Sequence, residues 1–131
     1  MPDLIHDFIA QRAAATPDAD ALLFKDQSVN YAQLWQHVET VAAGLLAADI
    51  APGDRVAVYL PKQFETIYSL FGTAAAGACF VPVNPLLKAR QLTHLLNDSG
   101  ARILISSWHR LPQLQPVLTQ CPALQTIVLT D

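Results

Sequence analysis

The most chemically suggestive stretch of the chain is Gly72-Thr-Ala-Ala-Ala-Gly77, whose glycines have the spacing of a phosphate-binding loop. In such a loop the next two residues are Lys and Ser or Thr, which meet phosphate and magnesium. Here they are Ala78 and Cys79, which supply neither the charge nor the hydroxyl. The glycines also close a helical pattern and precede a strand, the reverse of the order such a loop needs. These small residues read instead as a helix that packs closely on a neighbour. His6, His37, His94 and His109 are far apart and have no Cys or carboxylate at zinc-like spacing. His94 and Asp98 are four residues apart on one expected helix, which predicts a surface ion pair rather than a catalytic dyad. Ser106 and Ser107 follow a strand without the Gly-x-Ser-x-Gly frame of an exposed nucleophile. Cys79 has no cation or His beside it to lower its thiol pKa, and reads as core. Lys62, Lys88, Arg90 and Arg110 could each meet a phosphate; taken singly, each reads as a solvated surface charge.

The totals bound the class. The 131 residues suffice for a single domain, residues 1–131, with a sizeable core. Hydrophobic residues make up 52% and charged residues 15%, a globular balance rather than a disordered one. The formal charge is −3, and the few Lys and Arg form no stripe with interleaved aromatics, which argues against nucleic acid or an anionic membrane as the main partner. Cys79 and Cys121 lie in apolar runs, so buried, reduced thiols are expected. No run of 18 apolar residues and no leader-like N-terminus is present, so the expectation is a cytoplasmic protein without a membrane span.

Periodicity supplies the elements that must position any site. Leu4, Ile5, Phe8, Ile9 and Ala13 predict a helix over 4–15, with Asp3 as its N-cap. Ala21 to Phe24 reads as a short strand, and Lys25-Asp26-Gln27 as a turn leading into Ser28-Val29-Asn30. Asn30 with Gln33 forms a variant capping box, so a helix starts at Tyr31 with Leu34, Trp35, Val38, Val41, Ala42, Leu45 and Leu46 as its apolar stripe. Arg55 to Leu60 is a strand, Gln63 to Gly77 a helix, and Cys79 to Val83 a short buried strand. Pro82 and Pro85 bracket Asn84 and force an elbow there. A helix follows over 88–99, closed by Gly100, then a buried strand from Arg102 to Ser106. Pro112 and Pro116 allow only a short or broken helix before a last strand, Thr126 to Leu129. Strands alternating with helices predict an α/β fold: a mostly parallel sheet with helices on both faces.

The order of four segments carries a family resemblance. Ser28-Val-Asn-Tyr-Ala-Gln-Leu34 is similar to an early Thr-Tyr-x-Glu-Leu signature of the adenylate-forming (AMP-binding) superfamily. Pro52-Gly-Asp-Arg-Val-Ala-Val58 resembles the next shared segment, and Ala76-Gly-Ala-Cys-Phe-Val-Pro-Val-Asn-Pro85 an Ala-Gly-x-x-x-Val-Pro-Leu-Asn-Pro segment. Leu92 to Ile105 continues in register through its Asp-Ser-Gly-Ala turn. Asn84 favours the acyl- or aryl-CoA ligases over peptide-synthetase domains, where Asp is usual.

This resemblance implies the N-terminal subdomain of the acyl-CoA synthetase-like fold. It implies an ATP-dependent, AMP-forming ligase acting on a carboxylic acid, with ATP, Mg2+ and coenzyme A as the full-length enzyme's cofactors and co-substrates. It also implies that Asn84, Pro85, Leu86 and Arg110 neighbour the coenzyme A nucleotide. The phosphate loop, magnesium-holding glutamate, ribose-binding aspartate and C-terminal lysine of that family have no counterpart before Asp131. The expectation is therefore a fragment without catalytic or metal residues of its own, inactive alone, holding no cofactor and self-associating as a dimer through an uncovered sheet edge or apolar face. Two alternatives stay open: an adenylation domain loading a carrier protein, and a stand-alone binding or assembly module.

Overall fold

The computed structural model describes residues 4–131. Its centre is a four-stranded parallel sheet in the order β4-β3-β5-β6, where β3 is Arg55–Val58, β4 Cys79–Pro82, β5 Ile103–Ser106 and β6 Thr126–Leu129. Alternation along the strands sends successive side chains to opposite faces, and each face meets its own helices. Val56, Val58, Ile103 and Ile105 pack with Ala42 and Leu45 of α2 (Tyr31–Ala47) and with Ala76 at the end of α3 (Phe64–Ala75). Ala57, Tyr59 and Leu104 pack with Leu92 and Leu96 of α4 (Ala89–Ser99) and with Leu114 and Val117 of α5 (Leu111–Leu118). The expected parallel sheet with helices on both faces is present.

Local signals placed the element boundaries closely. Asn30 Oδ1 accepts the Gln33 N–H at 2.8 Å while Gln33 Oε1 accepts the Asn30 N–H at 3.0 Å, completing the capping box that starts α2. Gly100 ends α4 in the left-handed region at φ 65°, where a side chain would be strained. After a 3-10 turn at Trp108–Arg110, α5 is only eight residues long. Pro112 falls in its first turn, where a missing N–H costs nothing, and Pro116 removes one hydrogen bond near its end.

Five expectations are corrected. The first strand, β1 (Asp20–Phe24), does not join the parallel sheet; it forms a separate antiparallel hairpin with β2 (Gln27–Asn30), a segment the sequence suggested as an approach to the helix. Lys25 adopts φ 56° in the tight turn between them, and Val29 is buried against Ile9, Leu34, Val38 and Tyr68. The first helix, α1, spans Asp7–Ala15 rather than 4–15, and of its apolar stripe only Ile9 is buried, with Phe8 60% exposed. The proposed cap Asp3 lies outside the described residues. Strand β4 is an edge strand rather than a buried one, because the chain returns across β3 to build β5 and β6 on the other side; Pro82, which cannot donate to a ladder, suits that edge. Cys79 is accordingly exposed, and only Cys121 is a core thiol; both are free. Finally, His94 and Asp98 form no ion pair among the described residues, although the helix places them one turn apart.

Candidate functional site

From β3 the chain moves one way to β4, then crosses back to β5 and on to β6. The carboxyl ends of β3 and β5 therefore flank a topological switch point, the place where open α/β sheets leave a crevice for ligands. Three segments converge there: Tyr59 just after β3, the elbow after β4, and the turn after β5.

The elbow is shaped by its own side chain. Asn84 Oδ1 accepts the Leu86 N–H at 2.9 Å, and the Asn84 carbonyl accepts the Leu87 N–H at 3.1 Å. Pro85 occupies the second position of this turn, where its fixed φ is already correct. The turn thrusts Leu86 outward, 84% exposed, and delivers Lys88 as the N-cap of α4. Lys88 and Arg90 then stand at the start of α4 without an acidic residue in its first turn. Positive charge at the positive end of a helix dipole is unfavourable unless an anion offsets it.

Tyr59 binds the converging segments together. Its N–H donates to the Ile105 carbonyl at 2.8 Å, and its carbonyl accepts from Ser106 Oγ at 2.9 Å. Its hydroxyl donates to the Leu87 carbonyl at 2.6 Å and accepts from Gln113 Nε2 at 3.2 Å. The Arg110 guanidinium lies over its ring, 4.1 Å from the centroid. Beside it, Ser107 Oγ and His109 Nδ1 are 3.1 Å apart.

Tyr59, the elbow from Pro85 onward, the start of α4 and the turn at His109 and Arg110 line an open cleft of about 720 Å³. Pro85, Leu86 and Arg110, three of the four residues implicated by sequence, line it; Asn84 does not, and shapes the turn instead. Lys88 and Arg90, which read as isolated surface charges in the sequence, share the cleft with Arg110, whereas Lys62 lies away from it near Phe24. Among the described residues no Asp or Glu lines the cleft. Tyr59 and Gln113 were missed; the one available signal was a phenol at the carboxyl end of the apolar run RVAVYL.

The other chemical candidates dissolve. The Gly72–Gly77 stretch packs helices, with Gly72 pressed against Val41 of α2. His6 stacks near Trp35 and His37 on Tyr68, and no group of three or more His, Cys, Asp or Glu among the described residues could hold a metal ion. Ser106 is consumed by its bond to Tyr59.

Residues 9–131 match the family model for AMP-binding enzymes, and the chain belongs to that family, the adenylate-forming enzymes. It is 41% identical over 117 residues to a fatty acid–[acyl-carrier-protein] ligase, ScoC, of Streptomyces coeruleorubidus, covering 88% of this chain and 21% of that protein. It is 33% identical over 118 residues to tyrocidine synthase 3 of Brevibacillus parabrevis, covering 90% of this chain and 2% of that protein. Among solved structures, the anthranilate CoA ligase AuaEII in complex with anthranoyl-AMP superposes with a TM-score of 0.90 at 25% identity, over 98% of this chain and 25% of that one. The chain thus spans about a fifth or less of these curated relatives and a quarter of that solved chain.

Proposed function

We propose that these residues form the opening part of an ATP-dependent, AMP-forming acyl-CoA ligase. A carboxylate oxygen attacks the α-phosphorus of ATP, giving acyl-AMP and releasing pyrophosphate. The thiol of coenzyme A then attacks the acyl carbon; the thioester forms, AMP leaves with the electron pair, and the thiol proton is lost. AMP is a far better leaving group than hydroxide, which is why the carboxylate is activated first. Family membership implies ATP and Mg2+ for the whole enzyme. Among the described residues no group of three or more His, Cys, Asp or Glu could hold that metal ion.

The observation that carries the reading is the cleft itself. It offers Lys88, Arg90 and Arg110, with no opposing carboxylate among the described residues, next to apolar Pro85 and Leu86. That combination suits a phosphorylated ligand with a flat base, and in this reading Pro85, Leu86 and Arg110 contact the coenzyme A nucleotide while Asn84 holds the turn. The names of two relatives favour a second reading, an adenylation domain that hands its acyl group to a carrier protein. The full-length protein decides between them: ATP–pyrophosphate exchange with a panel of carboxylic acids shows adenylation, and acyl transfer to free coenzyme A but not to a phosphopantetheinylated carrier protein supports the first. Transfer to the carrier alone overturns it, and no exchange at all supports a stand-alone binding module.

The 131-residue chain by itself is proposed to make no acyl-AMP, and detection of that product would overturn this. It is also proposed to self-associate through β6, an edge strand whose residues are all half-buried. A monomer by light scattering at high concentration counts against it.

A further inference from the structure

Tyr59 is fully buried, a position where Phe would fill nearly the same volume without a polar group to satisfy. Instead its hydroxyl and its ring are both turned to residues that line the cleft. Its hydroxyl fixes the elbow through Leu87 and the start of α5 through Gln113, and its ring carries Arg110. Arg110 Nε is buried and has no hydrogen-bond partner, so the face of the Tyr59 ring is the group the structure sets against that charge. A guanidinium held this way keeps its plane and position, whereas one on a free side chain must give up rotamer freedom to bind.

We infer that Tyr59 is a positioning residue: it holds the Arg110 guanidinium flat and pre-aimed into the cleft and locks the elbow to the same orientation. This rests on the reading of the cleft as a phosphate-bearing ligand's site, although the hold on Arg110 can be measured without any ligand. Tyr59 acts through Arg110 and the elbow rather than by touching the ligand. A merely structural Tyr59 would act on stability alone.

The test uses the full-length protein with Tyr59→Phe, Tyr59→Leu, Arg110→Ala and the Tyr59→Leu/Arg110→Ala double variant, each first checked by thermal melting. Phenylglyoxal modification of Arg110, followed by peptide mass spectrometry, reports the guanidinium directly. The expected result is severalfold faster modification in Tyr59→Leu and a near-unchanged rate in Tyr59→Phe, which keeps the ring. Calorimetry with adenosine 3′,5′-bisphosphate supplies the second arm. Arg110→Ala is expected to weaken binding about tenfold, Tyr59→Leu by at least as much because it also frees the elbow, and the double variant no further than Tyr59→Leu alone, as residues acting as one unit do. An unchanged modification rate in Tyr59→Leu, or losses that multiply in the double variant, would overturn the inference. Faster modification with no binding to the unaltered protein would uphold the hold on Arg110 and sink the nucleotide reading instead.

Discussion

Gly72 of α3 and Val41 of α2 meet with no room for a side chain between them. A Cβ at position 72 would overlap the Val41 isopropyl group and sit 3.2 Å from the Val38 carbonyl oxygen. Closer approach of α2 and α3 is what the run of small residues provides. Gly72→Ala gains helix propensity, about 1 kcal/mol, yet must push the helices apart, which costs about 1–3 kcal/mol in a packed core. Net destabilisation is the expected outcome, seen as a lower urea midpoint; a more stable variant would show that the interface yields freely.

The capping box at Asn30 gives a second prediction. Asn30→Ala removes the acceptor for the Gln33 N–H and leaves one of the first-turn donors of α2 unsatisfied. The expected loss is about 1 kcal/mol, with the urea slope unchanged, whereas Asn30→Ser or Asn30→Asp retains most of the stability. Equal losses for Asn30→Ala and Asn30→Asp would place the effect elsewhere.

Asp54 makes stability depend on pH. Its carboxylate accepts the Ala51 N–H at 2.9 Å, and this bond is the main cause holding its pKa below the ordinary value, against an opposing desolvation; Arg102, at 2.6 Å, lowers it further. A group whose folded pKa is depressed contributes stability above its unfolded pKa, about 3.9, and loses it as pH falls through the folded value. Urea midpoints should therefore fall on acidification below about pH 4 and fall less steeply in Asp54→Asn, which is already weaker at neutral pH. Identical pH profiles for the two proteins would rule out this contribution.

The two thiols should separate kinetically. Cys79 stands exposed at the sheet edge, whereas Cys121 is buried and burial pushes its thiol pKa up. A disulfide reagent is expected to titrate one thiol rapidly in the native protein and the second only as urea unfolds it. Peptide mapping should assign the fast one to Cys79; two equal rates would contradict this burial.

The family and the cleft were legible to different degrees. Pro82, Asn84 and Pro85 advertised an elbow because proline and asparagine act on their own backbone, and the turn is there with the hydrogen bonds such residues make. Lys88, Arg90 and Arg110 advertised nothing jointly. Arg110 lies 51 residues beyond Tyr59 in the chain, and no local rule relates a guanidinium to a ring so far upstream. Cys79 misled for the same reason: an apolar neighbourhood in sequence predicts burial only if the strand lies inside the sheet.

By itself the sequence determined the element types, the cap at Asn30, the left-handed stop at Gly100 and the α/β class, since each depends on residues within a few positions of one another. Tertiary structure alone decided that β4 is an edge, that β1 pairs with β2 outside the main sheet, and that three scattered cations share one cleft around Tyr59. Those outcomes turn on strand order and on the chain crossing back over β3 to reach β5, and strand order is settled by the whole chain packing both faces at once.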